Sequence, residues 1–337
     1  MKTEAFPISS SRILVYDIIR VIAILFVVCI HSMEAIDKYA YQNPDSIEFV
    51  IANLLNSAIH TGVPLFVMLS GALLLDKDES IRTFFCKRVK RVLLPFIVWS
   101  VIVYFLDFIM SNEENIVLFL KNLFIRIITN GVHGIYWYIY MLLGLYLFTP
   151  FLRVFFKYCG EKNSLYFVLL LLVTYLISDV FPSVQLFSRF SSENLLYLFY
   201  YTSGYIIYKF LLPKMRVWIP VSLTVVIFFL NIVCNIYNFP THYQTIVLSL
   251  SLFGAIYNLR HMKYLKGIGF TCVNFISKVS YGIYLSHFLF ISLFYRLGIE
   301  YFIPLWLLPF IMVTSVMVIE CGLMYCISKI RLKRFFM

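Results

Sequence analysis

Two charged side chains and a histidine interrupt the apolar stretch Ile13 to Met33: Asp17, Arg20 and His31. A guanidinium binds phosphate or carboxylate oxygens through a planar fork of N–H donors. A neutral imidazole takes up a proton near pH 7 and can serve as a general base. Arg20 and His31 are eleven residues apart, which on an α-helix is three turns plus about 20° and a rise of about 16.5 Å. They therefore share one stripe. Asp17 lies one turn before Arg20 on nearly the same face, where it can pair with the guanidinium. Glu34, just beyond His31, is a candidate to orient the imidazole in the same way. The structural alternative is an internal ion pair at one membrane surface, with His31 capping the far end of the helix. Spacing alone leaves both open.

Two further stretches carry polar stripes. Asn53, Ser57 and His60 recur at helical spacing, followed by Thr61, Gly62 and Pro64, a polar stripe expected to face the interior and line a cavity. Pro64 has no N–H for the carbonyl of His60, so a kink with a free acceptor is expected; interhelical hydrogen bonding of the same groups is the alternative. Ser277, Ser280, Tyr284 and His287 fall on one face of a later stretch and should point inward. Lys278 and Glu320 are expected to form a structural ion pair between the last two spans. Lys87, Arg88, Lys90 and Arg91 cluster ahead of Pro95. Such a cluster sets topology and anchors lipid headgroups, or it clamps a phosphorylated co-substrate arriving from the cytoplasm.

The elements that must hold these residues are set by composition. Of 337 residues, 61% are apolar and 13% charged. Mean hydropathy is +0.87. A soluble globule keeps roughly a quarter of its residues charged, so this is expected to be an all-α, polytopic membrane protein. Spans of about 20 apolar residues fit Ile13 to Met33, Phe49 to Leu75, Val92 to Met110, Gly134 to Leu152 and Leu165 to Phe181. They also fit Leu195 to Leu212, Trp218 to Tyr237, Tyr243 to Leu259, Phe275 to Phe294 and Phe302 to Ile327, which makes about ten. The eighth is short. With both termini cytoplasmic, only Lys38, Lys121, Arg126, Arg189 and Arg296 of the 28 basic residues fall on the outer side, and Arg20 and Lys278 lie within spans. That bias accounts for the net charge of +11 without a nucleic-acid partner.

Asp17 and Arg20 break the apolar run of the first span and no small-residue cleavage site follows, so it is expected to be retained rather than removed as a signal peptide. Residues 1–337 are expected to form a single membrane domain without a soluble appendage. Between the third and fourth spans, Ile116, Leu120, Leu123, Phe124 and Ile127 form an apolar helical stripe suited to the membrane interface, where it could roof an outward cavity. The seven cysteines have no metal-type spacing and are expected to pack; no metal site is expected. P-loop, dinucleotide and HExxH motifs are absent.

Five landmarks occur in order: YDIIRVIAILFVVCIH ending at His31, GVPLFVMLSG from Gly62, KRVKRVLLP from Lys87, WYIYMLLGLYLFTP from Trp137 and ISKVSYGIYLSH ending at His287. In these the chain resembles the acyltransferase-3 family of multi-span membrane acyltransferases over nearly its whole length. Arg20 and His31 match the family's R-x10-H signature. Where the family has His-x-Trp before the fourth span, this chain has His133-Gly-Ile-Tyr-Trp137, so His133 is assigned no role. The resemblance is greatest to stand-alone O-acetyltransferases of surface glycans.

It implies transfer of an acyl group, most often acetyl, from cytoplasmic acyl-CoA to a hydroxyl of a surface glycan or polyprenyl-linked sugar, in a bacterial inner membrane. His31 would be the general base, with Glu34 stabilising its imidazolium. Arg20, oriented by Asp17, would hold CoA phosphate together with Lys87, Arg88, Lys90 and Arg91, and Ser70, Trp137, Tyr284 and His287 could line the cavity, with packing open for each. Direct transfer and an acyl-histidine intermediate both remain open. Inward polar stripes and a kinked span would also suit a transporter of a small carboxylate or glycan, and a non-catalytic module that binds a lipid-linked sugar is a third reading.

Overall fold

The computed structural model describes residues 10–110, 116–181, 192–237, 239–259, 268–330 and 335–336. Among them the chain is 86% helical and has no strands. Arg189, Arg331, Lys333 and Arg334, which enter the charge bias, lie outside the described residues, as do residues 111–115 ahead of the interfacial stripe.

In chain order the helices are α1 (Ser10–Ser32), α2 (Glu34–Gln42), α3 (Ile47–Ile59), α4 (Gly62–Leu74), α5 (Ile81–Arg88), α6 (Leu94–Met110) and α7 (Ile116–Ile128). They continue with α8 (Trp137–Tyr158), α9 (Gly160–Val180), α10 (Ser192–Ile206), α11 (Trp218–Ile236), α12 (His242–Asn258), α13 (Ile268–Arg296) and α14 (Leu308–Lys329). Single π-turns, Val89–Leu93 and Ile207–Leu211, join α5 to α6 and extend α10.

Seven helical runs among the described residues are long and apolar enough to cross a membrane: 14–32, 47–74, 81–110, 134–158, 160–180, 218–236 and 308–329. The other three expected stretches are helical too, within α10, α12 and α13. Helix α12 has 17 residues, about 25 Å of rise against a hydrocarbon core of about 30 Å. Only 22% of the 160–180 window and 17% of the 218–236 window are buried. Their outward side chains, including Leu169, Leu170, Val173, Val225, Val226 and Phe229, are exposed. Such apolar faces need lipid to cover them.

Helix α1 runs through the centre, packed on α4, α12, α13 and α14 through buried Val15, Ile19, Ala23, Ile24, Val27 and Val28. The tightest crossing is α4 on α10. A Cβ on Gly71 would sit 1.7 Å from the Tyr201 carbonyl oxygen, and one on Gly204 would sit 2.0 Å from that of Met68. Small residues let backbones meet where lipid supplies no hydrophobic drive between helices. This crossing carries Phe66 and Ser70 of α4 to the site described below.

The second span breaks where Pro64 requires it: α3 ends at Ile59, His60 and Thr61 form a turn, and α4 starts at Gly62. Asn53 and Ser57, expected to line a cavity, line neither of the two cavities described below; the interhelical alternative holds for them. Asn231 donates to the Ser57 carbonyl at 3.2 Å and Asn235 to the Ser57 hydroxyl at 3.0 Å, so these groups are consumed in α3–α11 packing. Helix α7 is amphipathic, and Leu120 and Phe124 are exposed. It packs on α6, with Phe119 stacked on Tyr104 at 4.9 Å.

Replacing Gly204 with leucine should force α4 and α10 apart. We expect loss of monodisperse protein in detergent by gel filtration, while Gly144→Ala, where a Cβ meets nothing within 4 Å, leaves the profile unchanged. Equal profiles for the two would refute a close-packed crossing.

Candidate active site

Arg20 is fixed from two sides. Its Nη1 lies 3.0 Å from Asp17 Oδ1 and 3.3 Å from Ser277 Oγ, and the Ser277 hydroxyl donates to the same Asp17 oxygen at 2.5 Å. Asp17 is buried and Arg20 half-buried. A charge pair with a satisfied hydroxyl partner is the form in which such groups persist inside a membrane protein. Arg20, Asp17 and Ser277 line a cavity of about 550 Å³.

That cavity is lined by five cationic side chains, Arg20, Lys77, Arg88, Arg91 and Lys278, and by one carboxylate, Asp17. Of the basic cluster, Arg88 and Arg91 reach it, because a three-residue spacing puts them on one face. Lys87 and Lys90 are exposed outside it. Lys87 instead pairs with Glu79 at 2.6 Å. Arg88 stands over the rings of Phe84 and Tyr146, 5.3 and 5.7 Å from their centres, and its buried Nε has no hydrogen-bond partner. Burial and then the neighbouring Arg88 charge hold the Lys77 ammonium below the ordinary lysine value. The cavity thus concentrates positive charge around donors that an anion would satisfy.

Its rim is built by a second ion-pair network. Arg153 of α8 donates through Nε to the Leu74 carbonyl at 2.7 Å, at the C-terminus of α4, and pairs through Nη2 with Glu79 at 3.0 Å. Lys87 first and Arg153 next hold the Glu79 carboxyl at about 2, against the opposing effect of burial.

A second cavity, of about 490 Å³, lies at the other end of α1. His31, His60, Trp137, Tyr197, Tyr200 and His242 line it. His242 Nε2 is 3.3 Å from Asp179 Oδ2. The two cavities share two walls, Tyr138 and Tyr284, whose rings meet edge to face with centres 5.2 Å apart. The Tyr284 hydroxyl donates to the Ile135 carbonyl, which ties that ring to the turn before α8. Ser70 lines the Arg20 cavity and donates to the Phe66 carbonyl at 2.9 Å.

Several expectations need correction. Glu34 does not accompany His31. Helix α1 ends at Ser32 and α2 starts at Glu34, so the one-turn relation is lost. Glu34 is exposed, in a separate recess with Lys38, Tyr295 and Glu300. Lys278 and Glu320 do not pair. Lys278 faces the Arg20 cavity, whereas buried Glu320 accepts from Ser286 at 2.8 Å, eight residues and about 12 Å farther along α13. His287 is fully buried and lines neither cavity. Helix α7 roofs neither cavity. His133 caps the turn before α8, its Nδ1 accepting from the Ile135 N–H, and stacks on Phe288 at 3.9 Å.

Lys77, Tyr138, Tyr197, Tyr200 and His242 were not anticipated. Lys77 sits in the run DKDES, which looks like an ordinary solvated loop, and the tyrosines are hidden among 25 in the chain.

An acyltransferase domain model of the acyltransferase-3 family matches residues 13–326. The chain belongs to that family. Membership and the helical architecture together make it a multi-pass membrane acyltransferase. Comparison with curated proteins and with solved structures gives no match.

Because the Glu79 carboxyl is depressed, the stability it contributes is complete above the ordinary carboxylate value of 4.5 and is lost as pH falls toward about 2. Thermal unfolding in detergent over that window should show a steeper fall for wild type than for Glu79→Gln. Parallel curves would remove Glu79 from the rim's stabilising network.

Proposed function

We propose that this acyltransferase takes an acyl group, most simply acetyl, from cytoplasmic acyl-CoA and delivers it to a hydroxyl of a surface glycan or lipid-linked sugar on the outer side of a bacterial inner membrane. The observation that carries this reading is the placement of Arg20 and His31 in two cavities that meet at Tyr138 and Tyr284. The cationic cavity has the chemistry for the phosphates of CoA: guanidinium forks from Arg20, Arg88 and Arg91, ammonium groups from Lys77 and Lys278, and an unpartnered Arg88 Nε. The positive-inside rule supports a cytoplasmic position for this end.

The pantetheine arm then runs along α1 past the two tyrosines. The 16.5 Å or so between the levels of Arg20 and His31 is a distance that such an arm can span when extended. Aromatic faces of Trp137, Tyr197 and Tyr200 in the second cavity offer flat surface to a sugar ring. Neutral His31 takes the proton as the acceptor oxygen attacks the thioester carbonyl. The new C–O bond forms, the C–S bond breaks, and the proton passes to the departing thiolate. Asp17 keeps Arg20 oriented; Glu34 has no part in the step.

Membranes supplied with radiolabelled acetyl-CoA should transfer label to glycan or polyprenyl-linked sugar with wild-type protein. His31→Ala should lower the rate by about 10²- to 10⁴-fold, the usual worth of a general base. Arg20→Ala should chiefly raise KM for acetyl-CoA. Normal incorporation by well-expressed His31→Ala would reject the base. A transporter with the same cavities would instead move substrate across sealed vesicles without consuming acetyl-CoA.

A further inference from the structure

Behind His31, on α13, lies the fully buried His287. The two ring centres are 5.3 Å apart with planes inclined at 39°, a separation at which one nitrogen of each ring comes within hydrogen-bond reach only when the two point at one another; in the structure they do not bond. Nδ1 of His287 lies 2.9 Å from the Tyr284 carbonyl oxygen and 3.1 Å from that of Ile283. A carbonyl oxygen only accepts, so Nδ1 carries the proton, and in the neutral ring Nε2 is then a bare acceptor. That Nε2 is buried and has no partner among the described residues. A phenylalanine would fill the same slot without stranding an acceptor beside His31.

We propose that His287 is a positioning residue for His31. A rotation of the His31 ring turns its N–H onto this unpartnered Nε2, fixing the tautomer in which the other His31 nitrogen is bare and faces the cavity. When His31 takes the proton from the attacking hydroxyl, the same contact holds one N–H of the imidazolium. The Tyr284 and Ile283 carbonyls, by fixing the His287 proton on Nδ1, set this arrangement from within α13. The proposal rests on the reading of His31 as the base.

Two amide substitutions separate the ring's two nitrogens. Glutamine can place an acceptor oxygen where Nε2 stands. Asparagine can keep a donor to the carbonyls where Nδ1 stands and leaves nothing toward His31. In the labelled-acetyl assay, at equal amounts of monodisperse protein, His287→Asn and His287→Phe should lose about 10- to 100-fold in kcat with KM for acetyl-CoA unchanged. His287→Gln should recover most of that loss. The reverse order, asparagine active and glutamine not, or a loss confined to KM, would make His287 a structural residue and overturn the proposal. If the phenylalanine variant fails to fold, the comparison of glutamine with asparagine decides. His31→Ala in the same assay keeps the two ideas apart. Its full activity would reject the base itself, whereas an inactive His31→Ala beside a fully active His287→Asn would reject only the positioning role.

Discussion

A guanidinium within a membrane bundle has to be paired, solvated or both, and the Asp17–Arg20–Ser277 cluster does this in a way that orders much of the molecule. Asp17 accepts from both Arg20 and Ser277, so α1 and α13 are locked in register by a charge that neither helix could carry alone. The same three side chains line the first cavity. Because α1 is continuous from Arg20 to His31, the same register sets His31 at the second cavity and His287 of α13 behind it.

Between the cavities stand two tyrosines held differently. Tyr284 is tied to the backbone at Ile135, while no hydrogen bond to the Tyr138 hydroxyl occurs among the described residues. Tyr284 is the tethered member; Tyr138, buried and held by ring packing against Phe66, Trp137 and Tyr284, has no such tie. An aromatic edge-to-face contact adds about 0.5–1.5 kcal/mol beyond burial, so the contact between the two rings is by itself a weak latch. A passage closed in this way would admit a thin chain while keeping water and ions from running through the bundle.

The parts of the site that could be read from sequence are those whose geometry a single helix dictates. Arg20, Asp17 and His31 lie on uninterrupted α1, where residue spacing converts directly to position. Pro64 announced the break at His60 because it has no N–H to give. Spacing failed wherever a helix ended or neighbours decided. Glu34 follows a break at Met33, so its distance in sequence from His31 says nothing about its direction. Asn53 and Ser57 met Asn231 and Asn235 of α11, a pairing that no pattern within the second span contains. Tyr138 was indistinguishable from the many aromatics that fill a lipid-covered bundle, and Lys77 from the charged loop around it.

The most direct measurement is a cryo-EM structure of the protein with a non-hydrolysable acetyl-CoA analogue. The account predicts the phosphates among Arg20, Arg88 and Arg91, the acyl end beside His31, and the Tyr138 ring displaced from Tyr284. An analogue confined to one cavity, with the contact between the two tyrosines intact, would contradict it.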